Sequence, residues 1–217
     1  MQNLQRKRLK EWSGERLSLG ITESGIEKVA ISVPWENVSN AYGMRMPDIY
    51  ISKEDLFDKR IMAEINRHKI QGLYIHVPLE DYEFLREFPQ IKDLSIKSGE
   101  NVKNLSFLEA LTSCRMFYLE SASLPDLEPM LKVKRNHRID GAPAPRPFAC
   151  VGLYNCEVKD LSEFALRTYI FSEFIVWNPK SRDERKRWKT IIAKTFRYYE
   201  IEEKETKKEK RIWKSRK

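Results

Sequence analysis

Apolar residues recur in a fixed triplet along the middle of the chain. In each triplet the second apolar residue follows the first by three positions, and the third follows the second by two. Successive triplets start 21, 23 and 34 residues apart: Ile70/Leu73/Ile75, Ile91/Leu94/Ile96, Cys114/Phe117/Leu119 and Phe148/Val151/Leu153. Alternation at the end of each triplet predicts a β-strand. We expect a weaker strand within residues 46–51 and a final strand at residues 174–177.

The segment after each predicted strand has a different period. Its apolar residues recur every three positions: Leu79, Tyr82, Leu85, Phe88; Val102, Leu105, Leu108, Leu111; Leu124, Leu127, Met130; and Val158, Leu161, Phe164. This spacing predicts a 3₁₀ or short helical return. One strand and one return cannot bury their own apolar face, so neighbouring units must stack on a shared core.

The unit at residues 148–158 fits the pattern L-x-x-L-x-L-x-x-N/C-x-L, and residues 46–177 resemble the leucine-rich repeat. The resemblance implies an α/β fold, a solenoid with one parallel sheet. The ninth position holds Pro78, Gly99, Ala122 and Cys156, and only Cys156 fits the family pattern, so we expect an irregular coil. The interval of 34 residues predicts an insertion at about 133–146. An ordinary α/β domain with alternating strands and helices is the alternative.

The residues before the repeats predict an N-terminal cap over residues 1–45. Residues 16–21 and 26–33 alternate on either side of a Glu-Ser-Gly turn, which is typical of a β-hairpin. Residues 52–68 predict a helix that Ser52 caps and that leads into the first strong strand.

The residues after the repeats predict a C-terminal cap over residues 180–200, next to a solenoid over 46–179. Ser181 and Glu184 have the spacing of a capping box, and an apolar stripe runs from Trp188 to Tyr199. We expect this helix to cover the open end of the core; a basic amphipathic helix on a membrane surface is the alternative. Residues 201–217 are predicted to be a charged tail.

The charge is distributed unevenly along the chain. The chain has 217 residues, of which 41% are hydrophobic, and its net charge is +8. Residues 1–10 carry a net +4, residues 180–217 a net +9, and the segment between them a net −5. A basic groove across the whole fold is therefore not predicted. The longest apolar runs have four residues, so we expect no membrane span and no secretory signal. Three cysteines indicate a reducing, cytoplasmic setting.

No motif for catalysis is found in the sequence. Walker A, G-x-G-x-x-G, H-E-x-x-H and C-x-x-C patterns do not occur. The histidines at positions 68, 76 and 137 fall on different predicted elements, and the three cysteines lack metal-ligand spacing. We therefore expect no enzymatic activity, no cofactor and no metal site.

Strand alternation defines a candidate binding face. If Leu73 and Ile75 point into the core, the alternate side chains lie on the exposed face of the sheet: Tyr50, Tyr74, His76, Lys97, Tyr118, Glu120 and Tyr154. Tyrosine anchors protein interfaces well, and the leucine-rich-repeat resemblance implies protein binding on this face. Strand propensity alone is the alternative explanation of the tyrosines. The insertion adds basic Lys134, Arg135 and Arg138, which either flank the site or form a solvated connection.

These patterns favour a non-enzymatic protein-binding module whose partner is a protein of unknown identity. The alternative is nucleic-acid binding through the basic C-terminal segment, where Trp188, Tyr198, Tyr199 and Trp213 lie among lysines and arginines. Seven acidic residues in the same segment oppose that alternative.

Overall fold

The computed structural model describes residues 17–25, 47–67, 70–133, 138–139, 142–143, 148–162, 171–177, 182–195 and 199–202. Its strands are β1 (Ser18–Thr22), β2 (Ile49–Ser52), β3 (Gly72–Ile75), β4 (Asp93–Ile96), β5 (Met116–Glu120), β6 (Ser123–Leu124), β7 (Arg138–Ile139), β8 (Ala142–Pro143), β9 (Phe148–Tyr154), β10 (Glu157–Val158), β11 (Phe171–Trp177) and β12 (Tyr199–Glu202). Its helices are α1 (Lys53–Leu56), α2 (Lys59–Arg67), α3 (Glu128–Lys132) and α4 (Arg182–Thr195), with 3₁₀ turns η1 (Glu83–Glu87) and η2 (Ser106–Ala110).

Eight strands form one sheet in the order β12-β11-β9-β5-β4-β3-β1-β2, and every pairing in it is parallel. The fold is therefore mixed α/β with a parallel sheet, as predicted. The register also follows the sequence triplets, because Leu73 aligns with Leu94, Phe117 and Val151. Phe174 of the final strand aligns with Val151.

The N-terminal hairpin prediction is wrong for β1. This strand lies between β2 and β3 and pairs with both in parallel, so neither edge is open to an antiparallel partner. Residues 26–33 lie outside the described residues. The alternating pattern Leu17-Ser-Leu-Gly-Ile21 specifies a strand and its two faces, but it does not specify a neighbour. β1 consequently belongs to the sheet, although its residues fall within the cap predicted over residues 1–45.

A backbone hydrogen-bond motif repeats at the start of four strands. The carbonyl oxygen of Leu17 accepts from the successive N–H groups of residues 71 and 72, at 3.0 and 3.3 Å. Gln71 does the same for residues 92 and 93, Lys92 for residues 115 and 116, and Arg115 for residues 149 and 150. The same pair of hydrogen bonds therefore joins neighbouring strands at their first residues, which fixes the strand register.

The first two returns have the predicted 3₁₀ character, and the third contains the short α-helix α3. In the first, Leu85 N–H donates to Tyr82 O, Phe88 to Leu85, and Ile91 to Phe88, at 3.0 to 3.1 Å. The second return repeats the series at residues 105, 108, 111 and 114, with bonds of 3.0 Å. These i to i+3 bonds place every third side chain on one side, and those side chains enter the main core.

The helix predicted over residues 52–68 is divided into α1 and α2. Ser52 caps α1 as predicted, since its Oγ accepts from Asp55 N–H at 3.2 Å. Asp58 then caps α2, because its Oδ1 accepts from Arg60 N–H at 2.8 Å. The second cap ends the first helix at Leu56 and leaves Phe57 in the turn between them.

The predicted C-terminal helix is present as α4 and packs on the last strands. Trp188 is 1% exposed, and the centroid of its ring lies 5.4 Å from that of the Phe174 ring. Glu184 Oε1 accepts from Val158 N–H at 2.9 Å, and Arg187 donates to Lys159 O at 2.8 Å. Glu184 thus bonds the backbone of β10. Residues 201 and 202, predicted as tail, belong to β12.

Candidate binding surface

The tyrosines of the predicted binding face are buried, so the expectation that they form an exposed patch is wrong. The exposed fractions are 9% for Tyr50, 6% for Tyr74, 0% for Tyr118 and 2% for Tyr154. Tyr74, Tyr118 and Tyr154 belong to a second apolar cluster with Met116, Cys150 and Ile175, separate from the main core. The tyrosine side of the sheet is therefore buried at these positions, as both faces of parallel sheets usually are.

Large and small side chains alternate along the tyrosine row. In sheet order the row reads Tyr50, Gly20, Tyr74, Ser95, Tyr118, Gly152, Ile175. A Cβ atom on Gly20 would lie 2.5 Å from Tyr50 Cδ1, and one on Gly152 would lie 2.5 Å from Tyr118 Cδ1 and 2.6 Å from Tyr154 Cε2. The rings therefore lie down over the glycines instead of standing out from the sheet. This close packing contributes to their burial.

One buried hydrogen bond and one ring contact hold Tyr118 in the tyrosine row. Tyr118 Oη donates to Cys150 Sγ at 3.2 Å, and the rings of Tyr118 and Tyr154 have centroids 6.4 Å apart. The row is interior to the folded chain, so its tyrosines are not available as anchors for a partner in this conformation.

Three of the predicted binding residues remain accessible. His76, Lys97 and Glu120 are half-buried, and we call them the polar rim. His76 and Lys97 directly follow the aligned residues Ile75 and Ile96, and Glu120 follows Leu119, so the three lie side by side at the carboxyl ends of β3, β4 and β5. Asn155 Nδ2 donates to Glu120 Oε1 at 3.1 Å. The rim thus presents an imidazole, a cation and an anion in one row.

His76 is held in its neutral form. Burial, with a smaller contribution from the positive charge of Lys97, lowers the pKa of its imidazole from 6.5 to about 4. Its ring packs edge to face on Tyr50, with centroids 6.3 Å apart. At neutral pH the rim therefore carries one positive and one negative side chain beside an uncharged imidazole.

The lowered pKa of His76 predicts a pH-dependent stability. Between pH 6.5 and about 4 the unfolded chain binds a proton at this position that the folded chain does not, so the free energy of unfolding falls as the pH falls. After allowance for partial exposure, we expect a loss of about 1–2 kcal/mol over that interval. Urea unfolding at pH 7.5 and 4 measures it. The His76→Gln variant should lose less unfolding free energy than the native chain over the same pH change. Equal losses in both proteins would contradict the lowered pKa of His76.

The basic loop is described only in part. Lys134 and Arg135 lie outside the described residues. Arg138 begins β7, which pairs antiparallel with β8, with Arg138 opposite Pro143. The insertion thus contains a small two-stranded hairpin in place of a wholly irregular connection.

Sequence reasoning missed Phe57, an exposed aromatic side chain on the helical side of the fold. Phe57 is 59% exposed, and no other large apolar side chain among the described residues is classed as exposed. Its ring meets Phe84 edge to face with centroids 5.9 Å apart. Asp58 was the available signal in the sequence, because aspartate is a preferred helix N-cap residue and a second N-cap within residues 52–68 predicts a turn just before it. In the structure Asp58 accepts from Arg60 N–H in this way, and Phe57 lies in that turn.

The structure also bears on the nucleic-acid alternative and on metal binding. Trp188 is buried against Phe174, so it cannot stack on a base. Within the described ranges, no group of three or more His, Cys, Asp or Glu side chains is placed to hold a metal ion. The helices described there include none that is both long and apolar enough to cross a bilayer.

Comparisons with protein-family models, with curated proteins and with solved structures found no match to this chain.

Proposed function

We propose that this chain is a non-enzymatic protein-binding module built as a short, irregular leucine-rich-repeat-like solenoid. The in-register strands and the repeated hydrogen bonds at strand starts support a coil of similar units. Cys156 supports the family resemblance further: its Sγ lies 3.4 Å from Leu119 O of the preceding unit and 3.3 Å from Tyr154 O. A thiol there takes a carbonyl contact between coils, as the ninth residue of a leucine-rich repeat would.

The polar rim is the part of the predicted face that we propose contacts the partner. Neighbouring strands lie about 4.8 Å apart, so His76, Lys97 and Glu120 span a row of about 10 Å. Strand ends hold side chains more firmly than loops do, and the buried tyrosine row lies beside this rim on the same face of the sheet. The observation that carries the proposal is this fixed, half-exposed row of three chemically different side chains.

Charge reversal on the rim tests the proposal. Lys97→Glu combined with Glu120→Lys keeps the net charge but exchanges its two poles, so complementary charges on a partner become repulsive. We expect the affinity for a partner identified by cross-linking to fall about tenfold or more, measured by calorimetry with both purified proteins.

The matched control uses exposed charges on α4. Asp183→Lys combined with Lys186→Glu makes the same exchange on exposed residues away from the rim. This control should bind as the native chain does. Retention of full affinity by the rim variant, with its thermal unfolding unchanged, would refute binding at the rim.

A further inference from the structure

We propose that the ring pair Phe57–Phe84, together with the acidic surface beside it, docks a basic peptide segment that carries one large apolar side chain. This aromatic pair lies on the return side of the fold, so the proposal is independent of the polar rim. It commits to a peptide of another protein as the occupant.

The aromatic pair has the geometry of a fixed apolar anchor point. Phe84 is half-buried and contacts Phe88 edge to face at 6.4 Å, and Phe88 belongs to the main core. The exposed ring of Phe57 is therefore connected through Phe84 to a rigid interior. The turn beneath it is also fixed, because Phe57 N–H donates to Glu54 O at 3.3 Å and Asp58 caps α2. A rigid aromatic surface binds an apolar side chain at low entropic cost.

The charge beside the aromatic pair is negative, although the chain as a whole is positive. Residues 80–87 contain four acidic groups and one basic group, Arg86, which is already paired with Glu83. Across the turn, Arg60 is paired with Asp58 and Lys53 with Glu23, and Lys59 is exposed. Residues 53–60 and 80–87 together carry seven acidic and four basic side chains. The exposed carboxylates on these two segments include Glu54, Glu80, Asp81 and Glu87.

The acidic surface continues along the neighbouring returns. Ser106 Oγ donates to Glu83 Oε1 at 2.9 Å, so η2 lies directly beside η1. Glu109 on η2 is also exposed, and so is Glu128 on α3, although Glu128 Oε1 is paired with Lys132 Nζ at 2.9 Å. An extended basic peptide therefore meets carboxylates along its length while its apolar side chain rests on Phe57. The same negative charge disfavours nucleic acid and anionic lipid as occupants.

A designed peptide pair tests both halves of this inference. The probe is a fluorescein-labelled hexapeptide, Lys-Lys-Leu-Trp-Lys-Lys, and its control has alanine in place of Leu and Trp. Fluorescence anisotropy with the full chain should show binding of the probe with a Kd below about 1 mM, and binding of the control at least tenfold weaker. Absence of probe binding, or equal binding of both peptides, would overturn the proposal.

Three variants localise the site. Phe57→Ala should weaken probe binding about tenfold or more, and Glu80→Gln with Glu87→Gln should weaken it and reduce its salt dependence. Asp183→Asn, which removes an exposed carboxylate on α4, should leave binding unchanged. Phe57 is exposed, so its replacement leaves the core intact, and circular dichroism verifies that. Full binding by Phe57→Ala would refute the site, and sedimentation that shows a Phe57-dependent dimer would assign the surface to a second copy instead.

Discussion

Replacing Gly152 with valine should lower the free energy of unfolding by about 3 kcal/mol or more. Gly152 lies under two buried rings, and its first added carbon would come within 2.5 Å of Tyr118 Cδ1 and 2.6 Å of Tyr154 Cε2. Tyr118 is fully buried and hydrogen-bonded to Cys150, so any movement of its ring disturbs its packing and this hydrogen bond. The valine must therefore displace the tyrosine layer from the sheet.

Urea unfolding of purified protein measures this loss, and Ala149→Val is the matched control. Ala149 is on the same strand but exposed, so valine there adds the same side chain without meeting the rings. We expect the control to change stability by less than about 0.5 kcal/mol. A Gly152→Val protein as stable as its control would show that the tyrosines do not cover the glycine.

Replacing Trp188 with alanine should cost about 3–5 kcal/mol of unfolding free energy. The indole is 1% exposed and packs on Phe174, which itself contacts the core at the end of the sheet. Its removal leaves a cavity between α4 and the last strands. It also weakens the docking that allows Glu184 and Arg187 to bond residues 158 and 159.

Thermal and urea unfolding measure the Trp188→Ala effect, and Lys186→Ala is the control on the same helix. Lys186 is exposed, and alanine favours helices, so this variant should be close to neutral. The Trp188→Phe variant should lose less unfolding free energy than Trp188→Ala, because it keeps an aromatic contact with Phe174. If the alanine variant unfolds as the native chain does, α4 is not part of the cooperative fold.

The strand register could be predicted from sequence because two independent signals agree. The apolar triplets specify which residues enter the core, and the spacing of three in the returns specifies how the chain comes back. Together they place Leu73, Leu94, Phe117 and Val151 in one aligned column, which the pairing confirms. The position of β1 could not be predicted this way, since its alternation is equally suited to a hairpin or to insertion between β2 and β3.

The burial of the tyrosine row shows a second limit of sequence reasoning. Alternation distinguishes the two faces of a strand, but it does not show whether a second layer covers the outer one. The small residues between the tyrosines were the sequence signal that could have predicted this burial. Gly20, Ser95 and Gly152 leave room for rings to lie flat, and Met116 and Cys150 are apolar choices for an outer face.

Backbone nuclear Overhauser contacts provide the most direct test that successive strands lie side by side in parallel. In isotopically labelled protein, we expect short distances from backbone amides to α-protons between the paired positions 73 and 94, 94 and 117, and 117 and 151. These contacts should appear without the close α-proton pairs of antiparallel strands. Antiparallel contacts, or none between these three pairs, would contradict the fold and with it the polar rim.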